Sequence, residues 1–268
     1  MENFIQLVKH PEPLSVQGFE ALSIGESFNL FFKEMANSID KKMATLSKSI
    51  HPVDIDHVRK YLTKNNILYV KNTHTEILTP EAFTPGMGNM MAHTKAITEG
   101  VYVITTLKTE AARLYDWLKQ IIKNGRMSAQ FSWSVGDFGN AVTKAENFIK
   151  NLPDSGRQSR YTLGQVYINF EEFYEATNLF NHYVKTIGGR DIELMAKDLG
   201  NVYDLGQLLV KKIHANDIRF SQQAIDDIEA VVNKFIELTN ISGALMVLLN
   251  ELTAVFNAQA ETLMKLKY

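Results

Sequence analysis

From Leu163 onward the apolar positions fall three and four residues apart. Leu163, Val166, Phe170, Phe173, Thr177, Phe180, Val184 and Ile187 form one stripe, and Ile192, Met195, Leu199, Val202, Gly206, Leu209 and Ile213 form a second. Ile225, Ile228, Val232 and Phe235 make a third, followed by Leu245, Leu249, Leu252, Phe256, Leu263 and Leu266. This spacing keeps one face of a helix of 3.6 residues per turn apolar. Gly188-Gly189 separates the first two stripes. The pattern predicts four helices of about 20 to 27 residues joined by short loops, as in antiparallel bundles.

The N-terminal half is divided by prolines and capping residues. Pro11 and Pro13 end a short first helix, because proline cannot donate to the helical ladder. Ser27 is the expected N-cap of a helix from Phe28 to about Ser49, with Leu30, Phe31, Ile39, Met43 and Leu46 on its apolar side. His51-Pro52-Val53-Asp54 is expected to open the next helix, with proline in the first turn and Asp54 and Asp56 at the positive end of the dipole. That helix should stop near Asn65-Asn66. Ile67-Leu68-Tyr69-Val70 reads as β-like, and the turn signals Thr79-Pro80 and Pro85-Gly86 then lead into one long helix. Its stripe is Ile97, Val101, Ile104, Leu107, Ala111, Leu114, Leu118 and Ile121, with Gly125 as the residue past its end. Residues 126–135 read as a loop, although Phe131, Trp133 and Val135 alternate. The expected fold is mainly α: a multi-helix bundle of long antiparallel helices with a small β-like element near residues 67–78. Its expected regions are residues 1–26, 27–124 and 136–268.

Composition narrows the chemistry more than the fold. An apolar share of 45% over 268 residues supplies a core without help from metal or disulfides. The absence of cysteine excludes disulfides, thiolate zinc sites and a cysteine nucleophile. With 28 Lys+Arg against 30 Asp+Glu there is no global pull toward nucleic acid or anionic membrane. Met1 to His10 lacks the basic and apolar regions of a secretory signal. Ile241 to Phe256 is interrupted by Asn250 and Glu251 and falls short of the roughly 20 apolar residues of a spanning helix, so it reads as buried.

Glu171, Glu172 and Glu175, with His182 further along, are the carboxylate cluster most like a di-metal bundle site. Such sites use Glu-x-x-His, yet the residues three before His93, His182 and His214 are Met90, Leu179 and Lys211. Asp54 precedes His57 at that spacing but stands at a helix start, where aspartate is expected anyway. Gly86-Met87-Gly88 and Gly188-Gly189 do not extend into phosphate-binding loops. Ser38-Ile39-Asp40-Lys41 matches S-x-x-K inside a predicted helix, without its companion motifs. Lys41-Lys42, Lys211-Lys212, Arg157 and Arg160 read as solvated faces. No catalytic, cofactor-binding or metal residue is assigned, and the chain is expected not to be an enzyme.

Three stretches carry a resemblance. They are Leu14-Ser15-Val16-Gln17-Gly18-Phe19-Glu20-Ala21-Leu22 with Ser27-Phe28-Asn29-Leu30-Phe31-Phe32; Ile77-Leu78-Thr79-Pro80-Glu81-Ala82-Phe83; and Leu245-Met246-Val247-Leu248-Leu249-Asn250-Glu251-Leu252 with Lys265-Leu266-Lys267-Tyr268. In their order the chain resembles the internal head proteins, or virion structural proteins, of large tailed bacteriophages. The resemblance implies a non-enzymatic protein packaged inside the capsid after a stay in the host cytoplasm during assembly. Its partners would be other phage head proteins and packaged DNA bound without sequence specificity, with no membrane and no cofactor. It also implies an N-terminal head-targeting propeptide removed by a prohead protease. Cleavage sites in that family end in Glu with a small or apolar residue two positions earlier, as in Ile24-Gly25-Glu26. Glu99 and Glu251 also fit but fall inside predicted core helices, so Glu26 is the expected site. Apart from the resemblance, the alternative is a cytoplasmic helical adaptor or regulator that binds a protein partner through an exposed apolar stripe.

Overall fold

A computed structural model describes residues 3–9, 48–65, 76–80, 89–133, 138–152, 158–187 and 189–266. In chain order these form α1 (Asn3–Lys9), α2 (Ile55–Lys64), β1 (Glu76–Pro80), α3 (Asn89–Glu99), α4 (Val101–Asn124), α5 (Phe138–Lys150), β2 (Gln158–Thr162), α6 (Leu163–Val166), α7 (Phe170–Ile187), α8 (Gly189–His214) and α9 (Gln222–Met264). The fold is a mainly α helical bundle, as the stripes predict.

Its axis is α9, a single helix of 43 residues where the sequence predicts two. Ser221 caps it, its hydroxyl accepting from the Ala224 N–H at 3.3 Å. The spacing of the stripe is lost between Phe235 and Leu245 because the helix there changes from one buried face to burial all round. Leu238 and Thr239 are buried, and so are all nine residues from Ile241 to Leu249. Nine consecutive residues sweep the whole circumference of a helix, so this part of α9 is enclosed on every side. α1, α2, α3, α4 and α5 lie against it, with β1 alongside. α8 packs along α4, and α7 packs against α3. By length and hydropathy α9 is also able to cross a membrane, because it continues beyond both ends of the run from Ile241 to Phe256, but here most of its apolar stretch is covered by protein.

Two predicted helices are each divided. The stripe from Ile97 to Ile121 is shared between α3 and α4, which meet at Gly100. The Val103 N–H bonds back to the Gly100 carbonyl at 2.9 Å, a tightened turn. A β-carbon on Gly100 would lie 2.6 Å and 2.9 Å from the two end methyls of Leu245. A side chain at Gly100 would therefore force the Leu245 methyls to shift. The stripe from Leu163 to Ile187 breaks at Tyr167, whose backbone is extended (φ −129°, ψ 145°). Its ring is wholly buried, and its hydroxyl donates to Gln259 Oε1 of α9 at 2.7 Å.

Other boundaries shift by a few residues. Pro52 lies before α2, which begins at Ile55 with Asp54 as N-cap, its carboxylate accepting from the His57 N–H at 3.1 Å. α2 ends at Lys64 as expected, and Gly125 takes the left-handed conformation (φ 64°) that ends α4. Of the β-like stretch, Ile67 to Val70 lies outside the described residues. The strand begins later, at Glu76, and takes in Thr79-Pro80, which the sequence reads as a turn. It pairs antiparallel with β2, with Glu76 opposite Thr162 and Pro80 opposite Gln158 at the end of the ladder, where a missing N–H is tolerated. The connection after α4 is a loop over residues 126–133. It is fastened by the Trp117 indole donating to the Ala129 carbonyl at 2.9 Å, and Phe131 meets Trp117 and Phe235 edge to face. Lys48 and Ser49 are helical, while the rest of the predicted helix from Phe28, together with Pro11, Pro13 and Ser27, lies outside the described residues. From the first predicted region, α1 packs on α9 and α5 and buries Val8 in the common core.

Candidate functional site

The sequence points first to one face of α7 and to the start of α2 beside it. Asn181 on α7 is nearly buried and grips the chain entering α2 with both ends of its amide. Its Oδ1 accepts from the Val53 N–H and its Nδ2 donates to the Val53 carbonyl, each at 2.8 Å. One turn into α2, the Arg59 guanidinium lies 4.4 Å above the Tyr174 ring and 3.9 Å from the Glu171 carboxylate. A shallow polar groove between the two helices is lined by Asp54, Asp56, Asn178, Asn181, His182 and Lys185, among others.

The four residues of the di-metal reading do not converge. Glu171 points to solvent beside Arg59, and Glu175 and His182 are exposed as well. Glu172 closes the start of α7: its carboxylate accepts from the Ile168 N–H at 2.8 Å, while Asn169 Oδ1 accepts from the Glu172 N–H at 3.1 Å. This reciprocal arrangement satisfies donors that a helix start otherwise leaves open. Asp54 has the same task on α2, which accounts for its spacing from His57. Among the described residues, no three or more His, Asp or Glu side chains are grouped so as to hold a metal ion. Of the basic residues, Arg160 lies 3.8 Å from Glu76, Lys212 lies 3.9 Å from Asp217, and Lys211 is exposed. Ser38, Lys41, Lys42, Arg157, Gly86, Gly88 and the expected cleavage residue Glu26 lie outside the described residues.

The structure adds buried polar groups that the sequence reading passed over. Glu110 on α4 is 1% exposed, with Arg113 Nε 3.7 Å away. Arg113 also donates to the Ser132 carbonyl, tying the 126–133 loop to the same helix. The signal for Glu110 was its position between Leu107 and Leu114 on the apolar side. Tyr167 and Gln259 are both fully buried, and Gln259 Nε2 has no hydrogen-bond partner. Burial raises the Tyr167 phenol well above its ordinary value; the bond to Gln259 opposes this and the Glu172 charge adds to it. The phenol thus stays protonated and serves as a fixed donor. Burial lowers the pKa of His93 and raises that of Glu251. Glu229 is raised by burial and by the neighbouring charge of Asp226.

Asp54 and Glu172 close helix ends, Asn181 pins one chain segment to another, and Glu171 pairs with Arg59 at the surface. Comparison with family models, with curated proteins and with solved structures found no match.

Proposed function

We propose that the chain is a non-enzymatic structural protein of a tailed-phage head interior, packaged during assembly and trimmed after Glu26 by a prohead protease. The observation that supports the reading best is the use made of the polar residues that sequence alone would nominate for chemistry. Asp54 and Glu172 cap helices, and Glu171 pairs with Arg59 at the surface. Such an arrangement favours shape over reactivity.

Of the stretches that carry the phage resemblance, Leu245 to Leu252 lies at the centre of α9, and Ile77 to Pro80 forms most of β1. The rival cleavage residues are poorly placed. Glu99 is exposed at the end of α3, but Ile97, which the protease would also read, is fully buried, and Glu251 lies within α9. Cutting at either would require the core to open first. Mass spectrometry of purified particles tests the proposal: the protein should be present with Ser27 as its N-terminus. An intact Met1 in mature heads removes the processing step, and absence from particles removes the virion role.

A second reading, a helical adaptor for a protein partner, is favoured by Leu194 and Leu208. Both are about 40% exposed and about four turns apart on α8. Absence from particles together with a stable complex with a host protein would decide for it.

A further inference from the structure

Of all the asparagines in the chain, Asn124 alone is followed by glycine. The pairing matters chemically because the backbone nitrogen of the next residue is the nucleophile that attacks an asparagine side chain, and a β-carbon beside it obstructs the approach. Gly125 has no β-carbon, and its conformational freedom helps the ring to close. Asn124 is the last residue of α4 and is exposed, as are Lys123 and Arg126 on either side of the pair. Helix ends fray, so the turn that holds Asn124 opens at far lower cost than the core. The points at which the following loop is tied to α4, Ala129 and Ser132, lie further along. Asn151 and Asn216 also stand just past helix ends, but the nitrogens after them are better held. The Leu152 N–H donates to the Ile149 carbonyl at 3.2 Å, and the Asp217 N–H donates to the Lys212 carbonyl at 3.0 Å. Both of those residues also carry a side chain.

We propose that Asn124-Gly125 is a self-modification site at which the folded protein deamidates. The inference stands apart from the virion reading. The Gly125 nitrogen gives up its proton to base and bonds to Asn124 Cγ, the Cγ–Nδ2 bond breaks, and the side-chain nitrogen leaves as ammonia. Water then opens the resulting succinimide at either carbonyl. One product is aspartate in the original backbone; the other is isoaspartate, whose backbone runs through the former side chain and is one carbon longer. One water is consumed and one ammonia released, with nothing oxidised or reduced. The positive charges of Lys123 and Arg126 favour loss of the amide proton. Each event adds one negative charge to a chain of formal charge −2, at the end of α4 where the helix dipole is itself negative. The lengthened backbone also falls where α4 meets the turn between α8 and α9, since a β-carbon on Gly125 would lie 3.9 Å from the Asp217 carbonyl oxygen. Modification therefore loosens the end of α4 against that turn.

Peptide mass spectrometry of the full-length protein, kept folded in a mildly alkaline buffer and sampled over time, provides the test. The Asn124 peptide should gain the mass of an amide-to-acid change and separate into Asp and isoAsp forms, about tenfold ahead of Asn151 and Asn216. Gly125→Ala should bring Asn124 back to the rate of those two. Conversion of Asn124 in the folded chain no faster than at Asn151 and Asn216 overturns the proposal, and so does an unchanged rate in Gly125→Ala. Conversion that occurs only in urea overturns it as well, because the fold then protects the site. A product that is Asp alone overturns the succinimide route.

Discussion

Tyr167 and Gln259 show how much a single polar contact can decide in an otherwise apolar interior. The Tyr167 hydroxyl satisfies Gln259 Oε1 at a fully buried point where water cannot substitute. Tyr167→Phe leaves the whole Gln259 amide without a partner, and a loss of about 1 to 3 kcal/mol is expected in urea unfolding. Adding Gln259→Met should recover part of that loss, because removing both polar partners is far cheaper than orphaning one. Glu251 makes the corresponding point for charge. Burial raises its folded-state pKa above the 4.5 of an unperturbed glutamate, so the native chain keeps a proton where the unfolded chain has lost it. The contribution of Glu251 to stability is thus fully present below the unfolded value and is lost as pH rises through the folded one. Glu251→Gln, which cannot ionise, should melt higher than the parent near about pH 7 and converge with it toward about pH 4. A thermal-melt series across that range checks both the sign and the window.

At the scale of elements, the junction between α3 and α4 depends on the absence of a side chain at Gly100. Its φ of −64° suits alanine, and helix propensity alone would favour Gly100→Ala by about 1 kcal/mol. The added carbon would nonetheless press on the Leu245 methyls, and Leu245 is wholly buried, so those methyls have little room to turn. Overpacking of that kind costs about 1 to 3 kcal/mol, and a net loss of about 1 to 2 kcal/mol is expected in denaturant unfolding. In a Leu245→Ala background the same substitution should become neutral or stabilising, giving a large coupling in a double-mutant cycle.

The same junction shows where sequence reading stops. Periodicity identified the stripes of α4, α7 and α8 because each of these helices buries one face. It joined α3 to α4 and α6 to α7 because both breaks are imposed by residues far along the chain, Leu245 at Gly100 and Gln259 at Tyr167. It split α9 in two because a helix enclosed on all sides has no stripe to follow. β2, reading Gln158-Ser159-Arg160-Tyr161-Thr162, offers no apolar alternation, and only its pairing with β1 reveals it. Among the candidate site residues, the capping roles of Asp54 and Glu172 were within reach of local spacing. The grip of Asn181 on Val53 spans 128 residues of chain and was not.

For the molecule as a whole, the arrangement around α9 makes folding a matter of one shared core. Every helix from α1 to α9 contributes buried hydrophobic residues to a single contiguous cluster. Amide hydrogen exchange should therefore be slowest along Ile241 to Leu249 and approach the global unfolding limit there, while α1 exchanges far earlier. Comparable protection in α1 would mean that it opens only together with the core. The order of the elements has a further consequence for synthesis. Each helix that leans on α9 precedes it in the sequence, so on the ribosome these helices emerge with the part of their apolar faces that rests on α9 uncovered, and the element that covers that part arrives last. A chain interrupted before residue 241 lacks the centre of its own core and leaves those faces open to quality control, so that translation into α9 becomes the checkpoint for folding.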